Sequence, residues 1–206
     1  MITWTPPRRR GRGQRRSPGR RPAWYTGSVL VLLVTGVSGA GKSAVARRLG
    51  EWGHRAVSLD GDSRLCSWTD RDGRRVTRPA EPDAAWLAAH RWTWDPARLD
   101  EIIAEAREGG AQTLWLCGQA ANALDLADRF DACFLLDIDQ QTMRHRLGAA
   151  QRGNDFGRVG DTLRTALSTH TAFLATWRRH GAVTIDATQP LDRVGEHLLL
   201  PRRRRG

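Results

Sequence analysis

Residues 36–43 read Gly36-Val37-Ser38-Gly39-Ala40-Gly41-Lys42-Ser43, a complete match to the pattern GxxxxGK[ST]. Each residue type in that spacing has a task. The glycines let the backbone curl until successive N–H groups point inward at an anion. The lysine ammonium bridges β- and γ-phosphates, and the serine hydroxyl ligates Mg²⁺. The pattern therefore predicts a phosphate-cradling loop for ATP with Mg²⁺, with Ala44 as its last contact and the positive end of the following helix aimed at the same anion. Of the chain's 33 basic residues, 32 are arginine, and Lys42 is the only lysine. A compact ammonium suits this slot, where a planar guanidinium would not pack. A glycine-rich turn that merely caps a helix is the competing reading.

A second group follows the next short apolar stretch, Asp60-Gly61-Asp62. Two carboxylates two residues apart, at the strand ends where α/β sheets bind ligands, suit a division of labour. Asp60 is expected to face the water shell of Mg²⁺, and Asp62 to orient or deprotonate an acceptor hydroxyl. The alternative is a solvated Asx turn around Gly61.

Strands alternating with helices must position these groups. Apolar runs at 29–35, 55–59, 113–117, 132–137 and 183–186 have strand length. Helical patterning covers 42–52, ended by Gly53, then 96–108, opened by Pro96 and closed by Gly109-Gly110, then 139–148, 161–179 and 190–200. This alternation predicts a parallel five-stranded sheet covered on both faces, a three-layer α/β domain. Residues 63–95 read as irregular, with a turn at Asp72-Gly73 and the tryptophans Trp68, Trp86, Trp92 and Trp94.

Composition bounds the class. The formal charge is +11, but residues 1–27 hold eight arginines and no acid, and four more occupy 202–205. Those twelve exceed the whole excess, so residues 28–201 are nearly neutral. Any nucleic-acid contact is expected only through the basic ends, and 1–27 is too polar to order itself. Cys66, Cys117 and Cys133 form no CxxC or Cys/His spacing; buried thiols in a reducing cytoplasm are expected. No run reaches the length of a membrane span, and no export segment is expected. Oligomeric state is not legible.

The order strand, GVSGAGKS, helix, strand, DGD resembles the small P-loop kinases, namely the shikimate, gluconate and adenylylsulfate kinases, with nucleoside monophosphate kinases as cousins. The resemblance spans about residues 29–200 and is poor between 63 and 95. It implies a P-loop NTPase fold with sheet order 2-3-1-4-5 and transfer of the ATP γ-phosphoryl group to a small-molecule acceptor. It also implies a lid at 149–160 whose arginines fold over the phosphates, Arg152 foremost because Gly153 and Asn154 adjoin it. Residues 63–95 would cover the acceptor, and the segment from Val183 to Pro190 would flank adenine. The tryptophans of 63–95 could stack a base; Trp86, Trp92 and Trp94 are expected in the core instead.

One departure stands out. Gly118-Gln119 follows the third strand, with no acid where many P-loop enzymes carry a second Mg²⁺ carboxylate. Asp137, after Leu135-Leu136, is expected as a helix cap, so the metal is assigned to Ser43 and Asp60. The rival activities are a nucleoside monophosphate kinase, with arginines in place of a base, and a nucleotide-dependent regulator or nucleic-acid-tethered NTPase using the basic ends.

Overall fold

In a computed structural model, residues 29–149, 156–157 and 159–200 are described. The basic arm, the basic tail, Arg152 and Arg158 lie outside them, and so do the expectations attached to each. The main sheet contains β1 (Leu30–Gly36), β2 (Arg55–Ser58), β6 (Thr113–Cys117), β7 (Ala132–Asp137) and β8 (Val183–Asp186), all parallel, in the order β2-β6-β1-β7-β8. Counting these strands alone, the order is the expected 2-3-1-4-5. The central strands are apolar on both sides because helices cover both, and Leu33, Val34, Leu114, Leu116, Leu135 and Leu136 are fully buried.

Helix α1 (Lys42–Glu51) returns from β1 to β2 and packs beside α6 (Leu191–Leu199). Gly53, at φ 83°, terminates α1, and the His54 N–H bonds back to the Leu49 carbonyl. Helix α3 (Pro96–Glu108) is capped by Asp95, whose carboxylate accepts the Ala97 and Arg98 N–H groups. It joins β2 to β6 in the opposite direction, so a right-handed crossover puts it on the other face. Helices α4 (Gln140–Gly148) and α5 (Gly160–Arg179) pack together between β7 and β8.

The segment 63–95 departs from expectation, because it is ordered. Strands β3 (Cys66–Thr69), β4 (Arg75–Val76) and β5 (Arg91–Trp94) form an antiparallel sheet in the order β4-β3-β5, with helix α2 (Ala84–Ala89) between β4 and β5. These strands are two to four residues long, too short for alternation to be read. Register pairs Cys66 with Trp94 and Trp68 with Trp92, so these four share one face. The loop after β6 sews this sheet to the main one. The Ala121 N–H donates to the Trp92 carbonyl at 2.7 Å, and the Asn122 side chain bonds both the N–H and the carbonyl of Trp94 at 2.9 Å.

Among the described residues no helix is long and apolar enough to cross a membrane. Cys66 and Cys117 are buried, and burial pushes both thiols up to about 12; Cys133 is half-buried and pushed up to about 11.

Candidate active site

The loop between β1 and α1 is built by glycine conformation. Gly39 and Gly41 stand at φ 84° and 99°, a region closed to most side chains, which lets the chain double back into the helix. Lys42 opens α1 and is buried; its ammonium donates to the carbonyls of Gly36 at 3.0 Å and Val37 at 3.2 Å. Asp60 lies 3.8 Å from that ammonium. Ser43, one residue on, accepts a hydrogen bond from the Ser58 hydroxyl at 3.0 Å. Ser58, the last residue of β2, was not marked by the sequence; only the adjacency of β2 and α1 in space brings the two hydroxyls together.

The two aspartates go to different places. Asp60 sits in the 3-10 turn after β2, with one oxygen accepting the Gln119 N–H at 3.1 Å and the other turned to Lys42. Asp62 is committed elsewhere. One oxygen accepts the N–H groups of Arg64 at 2.8 Å and Leu65 at 3.2 Å, and the other accepts Arg98 Nε at 3.2 Å. Burial works to raise its pKa, but those backbone hydrogen bonds and the Arg98 guanidinium outweigh burial and hold the carboxyl below its ordinary value. The Asx turn considered from sequence is thus realised at Asp62, joined to an ion pair, and the structure does not bring Asp62 into the cavity beside Lys42.

Gly118 explains the missing acid after β6. A Cβ there would stand 2.8 Å from the Leu59 Cβ, 2.9 Å from the Trp94 ring and 3.1 Å from Asp60 Oδ1. Strands β2 and β6 are neighbours, with Ser58 paired to Cys117, so the carboxylate arrives from the end of β2 and occupies the space beside Gly118. Asp137 forms an ion pair with Arg178, and the cap of α4 is Asp139, two residues on, which accepts the Thr142 N–H at 2.7 Å. Asp137 is therefore not the helix cap expected of it.

A cavity of about 540 Å³ opens from the loop. Val37, Ser38, Lys42, Asp60 and Gln119 line one end. Trp68, Trp92, Phe156 and Phe173 line the rest, with Arg78, His90 and Arg91 among the polar groups. Of the tryptophans expected in the core, only Trp94 is fully buried; Trp92 is half-buried against the cavity, and Trp86 stacks on His90 at 4.2 Å. The His90 Nδ1–H donates to the Trp86 carbonyl at 2.7 Å, the only sense in which a carbonyl partner can act. Arg144 is exposed, and Arg164 pairs with Asp161. Arg146 donates to the Ala187 carbonyl at 2.9 Å, tying α4 to the loop after β8.

Among the described residues no group of three or more His, Cys, Asp or Glu could hold a metal ion. A hydroxyl and one nearby carboxylate still fit Mg²⁺, which keeps several waters and takes its remaining ligands from phosphates.

A glycine-rich loop between the first strand and first helix of a 2-3-1-4-5 parallel sheet defines a P-loop NTPase fold. No family model and no curated protein matches the chain. Among solved structures it is similar to TT1252 from Thermus thermophilus, with 17% identity, a TM-score of 0.50 and coverage of 84% of this chain and 95% of that one. At that identity the likeness is one of fold. Alignments also extend to a gluconokinase from Sinorhizobium meliloti 1021 (18% identity, TM-score 0.49, 84% and 90% covered) and a deoxyadenosine kinase from M. mycoides (10%, 0.45, 82% and 97%).

Proposed function

We propose that the chain is a phosphotransferase that moves the γ-phosphoryl group of ATP to a hydroxyl of a small molecule. The observation that carries this reading is continuity: Lys42, Asp60 and the aromatic wall line one cavity, so phosphate donor and acceptor would meet without either leaving its site. The loop amides and Lys42 hold the phosphates. Ser43 would hold Mg²⁺, with Asp60 facing its water shell; the ion supplies positive charge to the phosphates.

Asp60 also takes the task that the sequence assigns to Asp62. Among the described residues it is the only carboxylate lining the cavity, and the Gln119 N–H fixes its orientation. It is placed to orient the acceptor hydroxyl and receive its proton. A carboxylate at that position favours an alcohol over a phosphate acceptor, which needs no base and would be repelled. Arg152 closing over the phosphates remains part of the proposal.

The test is acceptor-stimulated ADP release, with the phosphorylated product identified by mass. ATP binding without acceptor-dependent turnover across a broad panel would favour a nucleotide-dependent regulator instead.

A further inference from the structure

We propose that the acceptor is a flat aromatic compound bearing a hydroxyl; this rests on the phosphotransferase reading above. The inner face of the small sheet runs Cys66, Trp68 on β3 and Trp94, Trp92 on β5. Its two ends have different fates. Trp94 is sealed against Gly118 and the base of the Asp60 turn, whereas Trp68 and Trp92 are only half-buried and face the cavity. Trp68 stands 5.8 Å from Trp92, 5.0 Å from Trp86 and 5.9 Å from Phe156, all at tilted or edge-on angles. Phe173 on α5, with Leu87 and Met143, completes the apolar part of the wall.

Rings left half-exposed in a cavity offer faces and edges to another ring, which is the geometry aromatic groups prefer. Arg78, His90, Arg91, Thr165 and Thr169 in the same lining can hydrogen-bond polar substituents around a ring held there. In the reaction the acceptor oxygen bonds the γ-phosphorus as the bond to the β,γ-bridging oxygen breaks. The electron pair of that bond leaves with ADP, and the hydroxyl proton passes to Asp60 and on to solvent.

The experiment uses the full chain with ATP·Mg²⁺ and four probes: thymidine, 4-(hydroxymethyl)benzoate, D-gluconate and glucosamine. ADP release and product mass are measured for each, and binding is followed separately by tryptophan fluorescence. At least one aromatic probe is expected to gain one phosphoryl group, and which of the two separates a nucleoside from an aryl acid. Trp68→Leu should raise its KM about tenfold, with Trp68→Phe recovering much of the loss and ATP affinity retained in both. Turnover of gluconate or glucosamine with both aromatic probes silent overturns the proposal and leaves the phosphotransferase reading standing. Aromatic probes that quench fluorescence through Trp68, with no turnover of any probe, support the aromatic cavity and sink the phosphotransferase reading. Neither quenching nor turnover with the aromatic probes also overturns the proposal.

Discussion

The two ends of the cavity are built by different means. At the end proposed for the phosphates, the wall comes from eight consecutive residues shaped by glycine conformation and by the Gly36 and Val37 carbonyls that hold Lys42. At the acceptor end, the wall is made of side chains drawn from β3, α2, β5, the loop before α5 and α5 itself. A backbone-built site demands particular residue types at fixed spacing, whereas a wall of side chains demands only volume and polarity. The first leaves a motif and the second leaves scattered tryptophans. The difference teaches where substitutions should be severe and where they should be graded.

The largest effect is expected at Lys42. Lys42→Ala should lower kcat/KM by about a hundred- to a thousandfold, since it removes the charge aimed at the transferring phosphoryl group. Circular dichroism should stay native. Lys42→Arg should fare little better, because the guanidinium does not fit the pocket formed by the Gly36 and Val37 carbonyls. Equal turnover in wild type and Lys42→Ala would remove the phosphate end from the comparison altogether.

Asp60→Asn comes next, with kcat lower by about a hundredfold, because an amide can orient a hydroxyl but cannot take its proton. A shifted Mg²⁺ dependence measured alongside separates the metal task from the proton task.

Gly118→Ala tests the seam between the ends. The added methyl meets Leu59, Trp94 and Asp60 together, and a loss of about 1–3 kcal/mol is expected from overpacking. Gly61→Ala is the control, since a Cβ there meets nothing within 4 Å. Urea unfolding of the two should differ plainly; equal stability would mean that the seam tolerates a side chain.

The smallest effect belongs to Asp62→Asn. It should leave kcat within about threefold of wild type and cost about 1 kcal/mol, because Asn can still accept the Arg64 and Leu65 N–H groups but forfeits the charge facing Arg98. The sign with pH follows from the lowered carboxyl. Its stabilisation is fully present above the unfolded value near 3.8 and is lost as pH falls through the lower folded value. The stability gap between wild type and variant should therefore close below about pH 4. A hundredfold loss of kcat in Asp62→Asn would restore the base role to Asp62.

Legibility in the sequence follows the same division. The main sheet was readable because its three central strands are buried on both faces and appear as nearly unbroken apolar runs, while the half-exposed edge strands are shorter; the strands at 113–117, 132–137 and 183–186 match their expected limits. Pro96 and Gly109 framed α3 in the same way. The small sheet was not readable, since strands of two to four residues between arginines carry no period, and Trp68 and Trp92 meet only through cross-strand register. Nor could spacing decide between Asp60 and Asp62. What separates them is Arg98, 36 residues beyond Asp62 and brought to it by the packing of α3. The absent acid after β6 looked like a lost metal ligand, but the neighbouring strand end puts a carboxylate in that space.

Lys42 has a practical consequence outside catalysis. Within these 206 residues it carries the only side-chain amine, because every other basic side chain is a guanidinium. Acylating reagents that ignore guanidinium groups thus have a single internal target, and an acyl phosphate of ATP would deliver its label there. One tagged peptide, recovered or absent, would report nucleotide occupancy in a crude mixture with no need for an acceptor.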